Sequence, residues 1–192
     1  MPLPMNREQA TQLLRQYTET ASLIKHALAV EATMRHFAAH HGEDAEYWGM
    51  VGLLHDLDYE KWPDQHCDIT PDLLRENGFG EDFIRAVLAH GYGLRTDVRP
   101  EHIMEKVIYT VDELTGLITA CALVRPSRSL MDLEVKSVKK KFKDGAFAAA
   151  VDRELIKGGA EMMDMPLDEI MGHTILALRA IAPELELNSA GA

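Results

Sequence analysis

The chain has 192 residues, 46% of them hydrophobic, which is enough for one domain with a substantial apolar core and no covalent staples. Its formal net charge of -11 argues against general binding to nucleic acid or to an anionic membrane, while leaving room for a local basic pocket around a phosphate. Two cysteines, Cys67 and Cys121, are too few for a disulfide framework and fit no paired zinc motif. With no leader pattern and no apolar run long enough to span a bilayer, a cytoplasmic protein is expected.

Apolar residues recur with a period near 3.6 almost throughout and strand-like alternation is absent, so the expected fold is all-α. After a loose end over Met1–Met5, a first helix is predicted over 6–17 with Asn6 as its cap. A second runs from Thr20 to about His41, with Leu23, Ala27, Val30, Met34 and Phe37 as its stripe and Gly42 as its stop. A third covers about 44–57, and Pro63 lies in the loop after it. Helices follow at 70–77, ended by Asn77-Gly78, and at about 80–90. Gly91, Gly93 and Pro100 bracket an irregular stretch before a long helix over roughly 101–121. Beyond Pro126, helices are expected at 129–142 and 145–157, with Gly158-Gly159 as a break, and a last one at about 167–182. The tail from Asn188 to Ala192 is expected to fray.

Histidines and aspartates interrupt these apolar stripes where core residues belong. His26 lies three residues after Leu23, His55 four after Val51, His90 three after Val87 and Asp112 four after Ile108, spacings that share a helix face. Asp56 follows His55 directly, and His66 stands in the next connection. A buried imidazole or carboxylate costs roughly several kcal/mol unless it is paired or bound to a metal. A shared metal would satisfy them together, since helical bundles build such sites from side chains on facing helices. Imidazole and carboxylate suit Fe, Mn, Zn, Co or Ni, and no cysteine ligand is required. A His-Asp doublet alone is expected about once by chance in a chain like this. The specific signal is the ordered set: His on one helix, His-Asp ending another, then Asp on a later long helix.

With Gly52-Leu53-Leu54-His55-Asp56, His26, and Asp112 within Tyr109-Thr110-Val111-Asp112-Glu113-Leu114, residues 20–125 resemble the HD-domain metal-dependent phosphohydrolases. His66 and His90 resemble the extra histidines of the two-metal subgroup. The resemblance implies a helical HD core over 20–125, preceded by a helix within 1–19 and followed by a helical extension of the same domain over 126–192. It implies one divalent ion on His26, His55, Asp56 and Asp112, and a second on His66, His90 and Asp56, whose carboxylate would bridge. Two positions depart from relatives: the doublet reads His-Asp-Leu-Asp58 rather than His-Asp-Ile-Gly, and Cys67 follows His66 where proline is common.

The implied activity is hydrolysis of a phosphate ester, of a nucleotide or another small phosphorylated metabolite, by metal-activated water. Asp56 is the central catalytic residue and Asp58 a candidate for orienting water or acting as acid; Glu113, next to Asp112, is a weaker candidate. Among cations, Arg125 and Lys61 are the first choices for phosphate contact; Arg95, Arg99, Arg128 and the run Lys136, Lys139, Lys140, Lys141 and Lys143 offer further positive charge. Tyr47, Trp48, Tyr59 and Trp62 serve core packing or loop anchoring rather than base stacking, and His36, His40, His41, His102 and His173 read as surface or locally bonded. Two alternatives use the same ligands: an HD-like diiron oxygenase, and a metal-stabilised nucleotide sensor without turnover. Expected partners are the small phosphorylated substrate and a second copy in a homodimer, with neither nucleic acid nor membrane.

Overall fold

Among residues 2–188, which the computed structural model describes, nine α-helices form the fold and no named strand occurs. They are α1 (Arg7–Tyr17), α2 (Ala21–His41), α3 (Ala45–Leu54), α4 (Thr70–Glu76), α5 (Glu81–Leu88), α6 (Ile103–Leu123), α7 (Val135–Phe142), α8 (Arg153–Met163) and α9 (Leu167–Ala180). Single 3-10 turns lie at Pro63–Gln65 and Ala89–Gly91. Met1 and, of the tail predicted to fray, Ser189–Ala192 lie outside the described residues. No helix among the described residues is long and apolar enough to cross a membrane.

Local chemistry sets the early boundaries. Asn6 accepts from the Gln9 amide while Gln9 accepts from the Asn6 amide, closing a capping box on α1. Of the described residues before it, Leu3 and Met5 are not loose but half-buried against the core. Thr20 makes no side-chain cap; Glu60, in the turns after α3, instead accepts from the amides of Glu19 and Thr20 and from the Thr20 hydroxyl. Helix α2 ends as expected at Gly42, whose φ of 73° lies in the left-handed region that favours glycine.

Helices α2 and α3 nearly touch backbone to backbone. A Cβ on Gly52 would stand 3.0 Å from the Cα and N of Glu31. Glu31 itself is buried and accepts from Arg7 at 2.6 and 2.9 Å and from Arg35 at 2.9 Å, tying α1 to α2. Arg35 reaches on to Glu46 of α3. Two guanidinium groups make the buried carboxylate tolerable, since an unpaired one would be strongly destabilising. Helix α3 ends at Leu54, short of the predicted 57, so Asp56 lies in the run of turns that follows.

Helix α6 crosses the middle, burying Val107, Ile108, Val111, Leu114, Leu117 and Ile118, with α2 on one side and α8 on another. Helix α9 lies along α2 and buries Ile170, Met171, Ile175 and Leu178.

The segment after α6 differs most from expectation. Helix α7 begins at Val135 rather than 129, because Arg179 of α9 takes the carbonyls of Leu130 and Leu133, and the Leu130 amide donates to Leu187. The helix predicted over 145–157 begins at Arg153 instead. There Asp152 caps the amides of Glu154 and Leu155, and the Arg153 guanidinium collects the carbonyls of Phe142, Asp144, Phe147, Ala148 and Val151. Those groups are satisfied without a helix.

Gly158-Gly159, predicted as a break, lies inside α8. A Cβ on Gly159 would come within 2.0 Å of Thr110 Oγ1 and 2.9 Å of Thr110 Cβ, so this glycine lets α8 press onto α6. A Cβ on Gly158 would meet nothing within 4 Å. Gly159→Ala should therefore destabilise the protein by about 1–3 kcal/mol through overpacking. Gly158→Ala should stabilise it by about 0.5–1 kcal/mol through helix propensity. Urea unfolding of the two variants beside the wild type checks both signs.

Candidate metal centre

Six side chains from six places in the fold meet at one point. His26 comes from α2, His55 from the end of α3, Asp56 from the turn beyond it, His66 from just after the first 3-10 turn, His90 from the second, and Asp112 from α6. His26 Nε2 lies 2.9 Å from Asp112 Oδ1 and 3.3 Å from His55 Nε2, and His55 Nε2 lies 3.3 Å from Asp112 Oδ1. Asp56 Oδ2 faces this group, 3.6 Å from His26 Nε2 and 3.4 Å from His55 Nε2. Its Oδ1 faces the other, 3.4 Å from His66 Nε2 and 3.5 Å from His90 Nε2, which stand 3.1 Å apart. One carboxylate therefore spans two imidazole pairs.

The outer nitrogens explain why a cation is needed. His55 Nδ1 donates to the Gly52 carbonyl at 2.8 Å, His90 Nδ1 to the Val87 carbonyl at 2.5 Å, and His66 Nδ1 to Asp58 Oδ1 at 2.8 Å. With those protons committed outward, neutral His66 and His90 point Nε2 lone pairs at each other. Only a proton or a metal ion between them relieves this. Outward Nδ1 donors are also what fixes imidazoles as metal ligands. The donor set fits one or two divalent ions.

Asp58, expected beside the reacting water, does something else. It is fully buried, and besides His66 it accepts from the amides of Ile69 at 3.2 Å and Thr70 at 2.9 Å. It braces His66 and ties it to the start of α4, out of the cavity. Cys67, which the sequence pattern does not mark as a ligand, has its Sγ 3.7 Å from His90 Nε2 and forms a donor group with His66 and His90. Its φ of 72° is closed to proline, so the departure from proline noted above is matched by a different backbone.

Without an ion, protons take its place. Burial disfavours the charged form of His26, but Asp112, with Asp56, outweighs it and raises the imidazole to about 9. Burial likewise opposes the charge on His66, and Asp58 overcomes it, again to about 9. His90 is lifted well above its ordinary 6.5 by Asp56 and Cys67 despite its burial. Burial would raise Asp56 and Asp112; the surrounding imidazoles hold both below the usual carboxylate range.

The centre opens into a cavity of about 360 Å³, walled by Leu23, Tyr59, Leu94, Arg95, Glu113, Val151 and Leu155. Burial, with the Asp112 charge, raises the Glu113 carboxyl, which accepts from the Asp152 amide. Neither first-choice cation lines this cavity. Arg125 is held by Asp132, and Lys61 donates to the Gln16 carbonyl and sits over Tyr17. Arg95 is the one Arg or Lys on the wall, and its guanidinium has no hydrogen bond or ion pair among the described residues. A second, more apolar cavity of about 350 Å³ adjoins through His26 and Gly116, walled in part by Leu123, Leu185 and Leu187. Trp48 is core, Tyr47 packs edge-on to Phe83 and Trp62 packs near Tyr17, while Tyr59 meets the His66 ring edge-on.

A family model described as HD domain matches residues 23–117. The chain is an HD-domain protein. No curated protein and no solved structure matches it. The HD match covers all six converging side chains and ends inside α6, so Val151, Leu155, Leu185 and Leu187 reach the two cavities from outside it.

Two outcomes follow for the HD centre. Groups raised from 6.5 to about 9, His26 and His66, stabilise the metal-free fold fully below pH 6.5, and that contribution is lost as pH rises through about 9. The urea midpoint of metal-free protein should thus fall between pH 6.5 and 9, and metal-loaded protein should resist the fall, because an ion replaces the protons. Asp58→Asn keeps an acceptor for His66 but turns a donor towards the Ile69 and Thr70 amides. Calorimetric titration should show the ion on the His66 side bound about 10–100-fold more weakly and the ion on the His26 side unchanged.

Proposed function

We propose that this HD-domain protein is a metal-dependent hydrolase of phosphate esters, acting on a nucleotide or another small phosphorylated metabolite. The observation that carries the reading is the pair of facing imidazole sets divided by Asp56. One or two divalent ions from among Fe, Mn, Zn, Co and Ni, held by His26, His55, Asp56 and Asp112 and by His66, His90 and Asp56, would supply charge for phosphoryl oxygens and acidity for a water.

The remaining residues support phosphate chemistry in particular. In the metal-free cavity the protons on His26, His66 and His90 offset the charges of Asp56 and Asp112, and Arg95 adds a positive charge on the wall. Divalent ions in place of those protons would give phosphoryl oxygens coordination positions that protons do not offer. Asp56 keeps the two halves in register, and Asp58 holds the His66 ring in its orientation. Arg95, on the wall with its donors uncommitted, binds the phosphate, and the leucine-lined cavity beyond Gly116 takes the organic part of the ester.

Untagged protein loaded with Mn or Co should turn over chromogenic phosphate mono- or diesters. Asp56→Ala should abolish turnover and weaken metal retention. Arg95→Ala should raise KM about tenfold or more, from loss of charge-assisted hydrogen bonds worth roughly 1.5–3 kcal/mol. Dioxygen consumption by iron-loaded protein without ester cleavage would replace the hydrolase with an oxygenase. Tight nucleotide binding without cleavage would make the protein a sensor.

A further inference from the structure

A second gathering of imidazoles lies at the far end of α2, about 20 Å from His26 at 1.5 Å per residue. The histidines read from the sequence as surface or locally bonded are not independent here. His36 and His40 stand four apart on α2, and Glu169 and His173 stand four apart on α9, so each pair shares one helix face. The two faces meet. His36 Nε2 lies 2.9 Å from His173 Nδ1, the rings of His40 and His173 are 4.5 Å apart, and His173 Nε2 is 3.9 Å from Glu169 Oε1. Ligand atoms of His40, Glu169 and His173 all lie within 4.8 Å of one another.

We propose that His40, Glu169 and His173 bind a zinc-class divalent ion that staples α9 to α2, separately from the HD centre. Two imidazoles and a carboxylate are a zinc donor set, with a fourth tetrahedral position left for water. Zinc–ligand bonds of about 2.0–2.1 Å place tetrahedral donors about 3.4 Å apart. The 3.9 Å separation closes by small rotations that the exposed Glu169 and His40 are free to make. His36 acts as a positioning residue: its bond to His173 Nδ1 fixes that ring and leaves His173 Nε2 for the ion. The chain after α9 carries Leu185 and Leu187 to the apolar cavity, so the staple would also fix that wall.

The test counts ions. Untagged wild-type, H40A and E169Q proteins, each first saturated at the HD centre, are dialysed against micromolar zinc and their zinc per chain is measured. Wild type should retain one more zinc than either variant, and zinc should raise its thermal midpoint while leaving theirs unmoved. His36→Ala should weaken this zinc about tenfold without removing it; unchanged affinity would remove the positioning role. Both primary variants lie at exposed positions, and far-ultraviolet circular dichroism and zinc-free midpoints matching wild type establish that they fold. Equal zinc counts in folded wild type and variants would overturn the site. Subtracting variant from wild type cancels ions at the HD centre, so the result stands whatever reaction that centre performs.

Discussion

Imidazole nitrogens whose protons point outward cannot face each other at 3.1 Å in a protein interior unless positive charge lies between them. Much of the structure serves to hold His66 and His90 in that otherwise unfavourable arrangement, with His26 and His55 opposite them across Asp56. The carboxylates of Asp56 and Asp112 compensate in part, and the Gly52, Val87 and Asp58 oxygens fix the outward protons. Such a centre is preorganised: the reorganisation that a cation would otherwise require is built into the fold, and the metal-free state balances its charge with protons.

The scaffold meets this demand by close approach. Gly52 lets α3 lie against the backbone of α2, bringing His55 into reach of His26, and the Glu31–Arg7–Arg35 knot fastens α1, α2 and α3 on the same side. Gly159 does the same for α8 on α6, the helix that presents Asp112. Polar groups are satisfied in the loops with equal economy. Arg153 alone serves five carbonyls, and Arg179 serves two.

The helical fold and the converging residues were legible because both rest on local periodicity. A histidine or aspartate on an apolar stripe must point inward wherever the helix goes, so His26, His55, His90 and Asp112 announced themselves before any tertiary contact was known. What was illegible depends on contacts between distant residues. Asp58 reads like a second catalytic carboxylate until the Ile69 and Thr70 amides are seen to claim it. Arg125 reads like a phosphate ligand until Asp132 does the same, while Arg95 reads as one cation among many. The helix expected over 145–157 has adequate apolar spacing, but Asp152 and Arg153 together offer its backbone better partners. His36 and His173, 137 positions apart, carry no sequence signal of their meeting.

The division between the ligands and the walls has an evolutionary reading. All six converging side chains lie within residues 23–117, whereas Val151, Leu155, Leu185 and Leu187 are supplied by later chain. Changes in the later segment can reshape what the cavities admit without moving a single donor atom. The donor set and part of the wall around it are thus written in separate stretches of one polypeptide, and the second can vary in shape while the first stands still.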